Sequence, residues 1–176
     1  MTMKFGAVVI AGLGFAAATP SFAQEVAATH TPADSEITIP APPEGMGQVV
    51  FFRSSSMMGM AMGCQVNEGE GEPKDAKVSS LGNGRYFILQ TTPGTHGYWT
   101  RNEKKDELTL LVEPDETQFV RCKIKMGIMS GRPDIRPSDG AEFAKASGSM
   151  KLVDDDDMKA DGVLRAAQLT PVAMAE

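Results

Sequence analysis

Two turn signals that flank short apolar runs constrain the fold of this chain more than any other feature. Residues 81–99 read Leu-Gly-Asn-Gly-Arg-Tyr-Phe-Ile-Leu-Gln-Thr-Thr-Pro-Gly-Thr-His-Gly-Tyr-Trp. Asn83-Gly84 accepts the positive φ of a tight hairpin turn, and Pro93-Gly94 fits the central positions of a type II turn. The β-favouring residues between the two turns predict strands. The segment therefore predicts a central hairpin with which other strands could pair.

Short strands separated by turn signals are also predicted on both sides of this segment. Residues 48–53 form a continuous apolar run, which suits a strand buried on both faces. Further strands are predicted at residues 57–67, 76–81, 107–112, 117–126 and 149–153. The pattern predicts a mainly β fold, either an antiparallel β-sandwich or an open barrel of about seven or eight short strands.

Residues 117–126 show the clearest alternation in the chain. One parity is apolar and the other basic: Val120, Cys122, Ile124 and Met126 against Arg121, Lys123 and Lys125. A register slip by one residue would bury three cations, so the pairing register is strongly specified. The basic stripe fits an exposed sheet face or a contact with an acidic partner or lipid headgroup.

The N-terminus has the order of a secretory signal. Lys4 precedes an apolar run over residues 5–18, and Ser21-Phe22-Ala23 has small residues at its first and third positions. We predict cleavage near Ala23 and a periplasmic or secreted location. The alternative is an N-terminal anchor, although the run is shorter than the roughly 20 apolar residues of a membrane span. No transmembrane segment is expected after removal of the signal.

Four segments are expected. They are a signal peptide (residues 1–23), a flexible proline-rich linker (24–46), a β-sandwich domain (47–153) and an acidic tail (154–176). The tail could form a short helix beginning at Asp154–Asp157, because carboxylates suit a helix N-terminus. Residues 127–148 predict a long loop with at most one helical turn, near residues 141–146.

The charge of the chain argues against nucleic-acid binding. The net charge is −6 at neutral pH, and removal of a signal containing Lys4 makes it one unit more negative. A nucleic-acid-binding protein would need a basic footprint. An acidic balance is ordinary for an exported protein and identifies no partner or oligomeric state.

The two cysteines, Cys64 and Cys122, fall on the inward parity of predicted strands. An oxidising compartment would allow a disulfide between them. Two separate buried thiols that pack as small apolar groups are the alternative.

A methionine-rich stretch provides a candidate metal site. Its potential ligands share one strand parity, with a histidine from elsewhere: Met58, Met60, Met62, Cys64 and His96. Thioethers and thiolates suit Cu(I), but same-face neighbours on a strand lie roughly 6.5 to 7 Å apart, so one ion would need a bent backbone. The alternative is a core strand filled by methionine. Disorder of residues 57–63 outside a packed sheet would favour a metal carrier, and burial of their sulfurs would favour a protein-binding module.

No motif predicts an enzyme or a bound cofactor. The chain has no Gly-x-Ser-x-Gly elbow, no phosphate-binding glycine loop and no pair of histidines placed for catalytic zinc. Tyr98 and Trp99 are the aromatic candidates for a protein contact, with core packing as the alternative. We therefore expect a non-catalytic exported module that binds an envelope protein or surface component, with a periplasmic copper-binding protein as the second hypothesis.

Several short motifs also carry a family resemblance. They are Gly-Gln-Val-Val-Phe-Phe-Arg-Ser at residues 47–54, the turn segments at 81–87 and 93–96, and the strands at 108–112, 119–121 and 151–153. These motifs resemble those of a bacterial envelope family called domain of unknown function 2846, over residues 47–153. The resemblance implies an exported or lipid-anchored β-rich domain of unassigned activity. No cysteine stands at the cleavage site, so a lipid anchor is not implied here, and the family supplies no catalytic residues.

Overall fold

The computed structural model describes residues 37–69, 76–102, 104–128 and 131–169. The predicted signal peptide, its cleavage site and residues 24–36 of the predicted linker lie outside these ranges. Within them the chain forms nine strands and two short helices. In chain order they are β1 (Gly47–Arg53), β2 (Cys64–Glu68), β3 (Lys77–Leu81), β4 (Arg85–Thr91), β5 (Gly94–Arg101), β6 (Lys105–Val112), β7 (Thr117–Met126), β8 (Gly131–Ser138), α1 (Gly140–Ser147), β9 (Lys151–Leu152) and α2 (Ala166–Leu169).

The strands form two sheets, and the predicted β-sandwich is confirmed. One sheet has the order β8-β7-β1-β4-β9 and the other β3-β2-β5-β6, and the described strands do not close into a barrel. Most pairs are antiparallel, but β1 pairs in parallel with β7, and β4 pairs in parallel with β9. The sandwich is thus mostly antiparallel, with parallel pairs at these two places, where strands far apart in sequence meet.

β1 is buried along its whole length, as its continuous apolar run predicts. Phe51 points between the sheets, where it stacks on Phe87 at 4.9 Å and meets Tyr98 edge-on at 5.0 Å between ring centroids. Phe52 points to the other side and contacts Phe143 of α1 edge-on at 5.4 Å. The five-stranded sheet thus has apolar cover on both faces, which is why β1 has no polar parity.

The two turns that dominate the sequence do not close hairpins. β3 and β5 belong to the four-stranded sheet and β4 to the five-stranded sheet, so each turn carries the chain from one sheet to the other. Gly84 does have positive φ, at 66°. The prediction of a central hairpin is therefore wrong, because turn chemistry is local whereas the choice of pairing partner depends on the whole sandwich.

Residues 131–138 form the strand β8 rather than the predicted loop. β8 lies at the edge of its sheet and pairs only with β7 among the described strands. Pro133 and Pro137 suggested a loop, but an edge strand accommodates proline because one side needs no ladder donor. After β8, the Asp139 carboxylate accepts a 2.7 Å hydrogen bond from the Glu142 amide and caps α1.

The domain extends beyond the predicted limits of residues 47–153. On the N-terminal side, Gln48 Nε2 donates to the Pro40 carbonyl at 2.6 Å, so this part of the predicted linker is packed against the sandwich. On the C-terminal side, Met158 and Val163 are buried in the main core.

The helix predicted from Asp154–Asp157 is a turn instead, and the C-terminal helix within the described residues is α2. No helix in the described part of the chain is long and apolar enough to span a membrane.

Candidate functional site

The methionine-rich stretch is a loop, not the predicted half-buried strand. Residues 54–63 connect β1 to β2, and regular pairing begins only at Cys64. Gly59 has a φ of 67°, and the Met62 amide donates to the Gly59 carbonyl at 2.9 Å, which closes a turn. The stretch lacks β-branched residues and contains four flexible methionines among small residues, so its strand propensity is weak.

Arg53, the last residue of β1, holds this loop against the sandwich. Its side chain is buried and donates hydrogen bonds to the carbonyls of Met62 and Gly59, the latter at 2.7 Å. Burial lowers the pKa of the Arg53 guanidinium from its usual value. A charged donor thus satisfies loop carbonyls that have no sheet partner, a role the sequence does not reveal.

The loop also packs closely on the β7–β8 hairpin. A Cβ built on Gly59 would lie 2.7 Å from the Ile124 side chain, and one on Gly131 would lie 2.6 Å from Met62 Sδ. Both glycines therefore permit contacts that a side chain would block. The base of the loop is fixed while its outer residues project away.

The outer residues of the loop are exposed and apolar. The exposed fractions are 94% for Met57, 55% for Met58 and 63% for Met60. The end of the adjoining hairpin adds Met126 at 74% and Ile128 at 94%. We call these five residues the methionine surface; the loop adjoins the end of the hairpin, because a Cβ built on Gly131, the cross-strand partner of Met126, would lie 2.6 Å from Met62 Sδ.

Cys64 and Cys122 form a disulfide, which is the first of the two alternatives that the sequence left open. Cys64 starts β2 in one sheet and Cys122 lies in β7 of the other, so the bond joins the two sheets directly below the loop. In this state Cys64 provides no thiolate for a metal ion.

His96 lies apart from the loop of residues 54–63, and both of its ring nitrogens have hydrogen-bond partners. Nδ1 contacts Glu68 Oε1 at 2.7 Å, and Nε2 contacts the Thr92 carbonyl at 2.8 Å. Glu68 ends β2, whereas Cys64 begins it. Of the five metal candidates, the structure therefore places only Met58, Met60 and Met62 together. The described residues contain no cluster of three His, Cys, Asp or Glu that could hold a metal ion.

The aromatic contact candidates Tyr98 and Trp99 lie inside the protein. Their exposed fractions are 1% and 6%, so the prediction that they form a contact surface is corrected in favour of core packing. Burial, and next the negative charge of Glu68, raises the pKa of the Tyr98 hydroxyl. The ammonium of Lys105 covers the Trp99 ring at 5.2 Å from its centroid. The turn at Pro93-Gly94 predicts a strand that contains both residues, but their exposure depends on what packs against each face of that strand.

The sequence did not indicate three members of the methionine surface, which are Met57, Met126 and Ile128. Alternation over residues 117–126 predicts that Met126 points inward with Val120 and Cys122, but Met126 is exposed. The apolar Met126-Gly127-Ile128 at the end of an otherwise regular strand was the available signal, because a turn normally carries polar residues.

Comparisons of the chain with protein-family models, with curated proteins and with solved structures found no match. The resemblance to an envelope family therefore stays a prediction.

Proposed function

We propose that this protein is an exported, non-catalytic β-sandwich module that binds an envelope protein through the methionine surface. The observation that supports the proposal is the exposure of five large apolar side chains at one end of the fold. Contiguous exposed apolar groups on a soluble domain are typical of interaction sites. The predicted signal sequence, with Lys4 and the Ser21-Phe22-Ala23 cleavage pattern, supports an extracytoplasmic location.

The construction of the surface suits a protein partner. Its base is fixed by Arg53 and by the disulfide, so little backbone ordering is needed on binding. Its side chains are mostly methionines, whose unbranched thioethers adapt to irregular partner surfaces. The occupant that fits best is therefore an apolar patch on a folded envelope protein.

Crosslinking in the native envelope tests this proposal. The variant with Met57, Met58 and Met60 all changed to glutamine keeps chain length and side-chain size but removes the apolar character. Leu111→Gln is a matched control, because Leu111 is also 61% exposed but lies on β6 of the other sheet. We expect a specific crosslinked protein with the wild type and with the control, and its loss with the triple variant. Equal capture by all three proteins would refute the role of this surface.

A soft-metal carrier is the second candidate function. It is favoured by one observation: residues 57–63 lie outside the sheet with exposed thioethers, the arrangement that fits a carrier better than a filled core. Against it, Cys64 is oxidised and His96 is bound to Glu68, so the remaining ligands would be thioethers alone.

Anaerobic Cu(I) titration separates the two candidates. A carrier requires binding tighter than about micromolar, abolished in the triple glutamine variant and retained in Leu111→Gln. Absence of such binding, together with specific crosslinking, would leave the protein-binding module as the function.

A further inference from the structure

A cleft at the edge where the two sheets meet collects positive charge on an acidic protein. β8 is the edge strand of the five-stranded sheet and β6 that of the four-stranded sheet. The cleft between them has a volume of about 250 Å³. Five basic side chains from three strands and the residue before β6 line it: Lys104, Lys105, Lys125, Arg132 and Arg136.

Two carboxylates in the cleft fix some of these cations in place. Asp134, whose side chain is 9% exposed, contacts Lys125 Nζ at 2.9 Å and Arg136 Nη2 at 2.7 Å. Asp106 accepts a 2.8 Å hydrogen bond from the Ile135 amide and pairs with Arg136 at 3.4 Å. The Asp106 contacts also tie β6 to β8, so the walls of the cleft are held by polar contacts between the sheets.

Positive charge exceeds negative charge in the described lining. Asp106 and Asp134 are already paired, whereas Arg132 lies directly across the ladder from Lys125, and Lys104 adds a further cation. Like charges in directly opposed positions destabilise a sheet. The sign also opposes the net charge of −6 for the whole chain. A cleft lined by one sign of charge concentrates oppositely charged ligands.

We propose that this cleft binds a phosphate-bearing ligand. Guanidinium groups contact phosphate oxygens with two parallel donors, and lysine adds a mobile point charge. The volume lies below the roughly 300 to 1,000 Å³ of pockets for drug-sized ligands, which suits one phosphate group with a small substituent. The cleft lining contains no residue of the methionine surface, so this proposal does not rest on the proposed protein contact.

The phosphate could belong to a soluble ester or to the headgroup of a phospholipid. The exposed Met126 and Ile128 stand at the end of the same hairpin that supplies Lys125 and Arg132. An apolar tip beside cations suits contact with an anionic lipid surface. Both sources present phosphate oxygens, which are the groups that the cleft would contact.

The test measures binding of three probes by the purified protein: inorganic phosphate and glycerol 3-phosphate by calorimetry, and phosphatidylcholine vesicles with or without phosphatidylglycerol by co-sedimentation. Arg132→Gln and Lys104→Gln each remove one cation of the cleft lining. Asp106 and Asp134 are the only carboxylates in that lining as the structure describes it. Lys151→Gln is the matched control, because Lys151 is exposed on β9 at the opposite edge of the same sheet.

We expect the wild type and Lys151→Gln to bind at least one probe, and each cleft variant to bind about tenfold more weakly, as for the loss of one charge-assisted contact. Binding of soluble phosphates alone assigns a soluble ligand, and binding of phosphatidylglycerol vesicles alone assigns a lipid headgroup. Absence of binding to every probe, or equal binding by wild type and both cleft variants, overturns the proposal. Thermal unfolding of each variant checks the fold; if Arg132→Gln is unfolded, Lys104→Gln decides the result.

Discussion

The methionine surface and the cationic cleft share the β7–β8 hairpin but are held in opposite ways. In the loop of residues 54–63 the backbone is fixed by Arg53 and by close glycine packing, and the side chains of Met57, Met58 and Met60 are exposed. In the cleft the backbone is a regular ladder, and the side chains are fixed by ion pairs to Asp134 and Asp106. The first arrangement favours adaptable apolar contact, and the second favours a ligand of defined charge.

Removal of the disulfide should cause the largest loss of stability. The local effect should be greatest in the loop of residues 54–63. The bond closes a loop of 58 residues, so Cys64→Ser with Cys122→Ser should lower the free energy of unfolding by about 4 kcal/mol in the chain-entropy model. Urea denaturation measures this loss. Hydrogen exchange should rise more in residues 54–63 than in β8; a uniform rise would mean that the two regions are not independently held.

Arg53→Met should detach the loop while leaving the cleft intact. The substitution removes hydrogen bonds from a buried cation to the Met62 and Gly59 carbonyls, which should cost about 3 kcal/mol. Limited proteolysis should then cut within residues 54–63. An unchanged cleavage pattern would show that the glycine contacts alone hold the loop.

Asp134→Asn is the corresponding change in the cleft. It removes the charge that Lys125 and Arg136 share, but those side chains are 60% and 44% exposed. Because solvent screens such pairs, we expect a loss of only about 2 kcal/mol in unfolding free energy. Destabilisation should weaken at high salt, in contrast to Arg53→Met; a salt-independent loss would point to packing instead of charge.

Gly59→Ala should have the smallest effect. Its φ of 67° and its 2.7 Å approach to Ile124 both disfavour a Cβ, and the conformational cost is about 1 kcal/mol. Gly63→Ala is the control, because a Cβ there meets nothing within 4 Å. Differential scanning calorimetry should separate the two variants, and equal melting temperatures would mean that the loop relaxes around the added methyl group.

The parts of the fold that sequence predicts well are those where burial and charge alternate. In β7, Val120 and Cys122 are buried while Lys123 and Lys125 are exposed, because a shifted register would bury cations. Residues 57–63 alternate just as regularly, but Met against Gly or Ala imposes no penalty in either register. Alternation therefore predicts a strand only when one parity must stay in water.

The two candidate sites could not be predicted, because both depend on which strands become neighbours. Arg53 donates hydrogen bonds to the carbonyls of Gly59 and Met62, which lie six and nine residues later in the chain. Nothing in the sequence indicates that the loop folds back onto Arg53. The cleft requires β6 and β8 to be edges of different sheets. Pro133 and Pro137 also favour a loop over residues 127–148, so the sequence does not predict β8.

The parallel pairing of β1 with β7 has a consequence for how the protein is made. Gln48 and Thr117 are partners in this pair and lie 69 residues apart. During synthesis, β1 leaves the ribosome long before its parallel neighbour exists, and contacts so distant in sequence slow folding. The β1–β7 pair therefore forms only after most of the chain has emerged, so a chain exported as proposed would still lack this contact when it is threaded through a translocation channel.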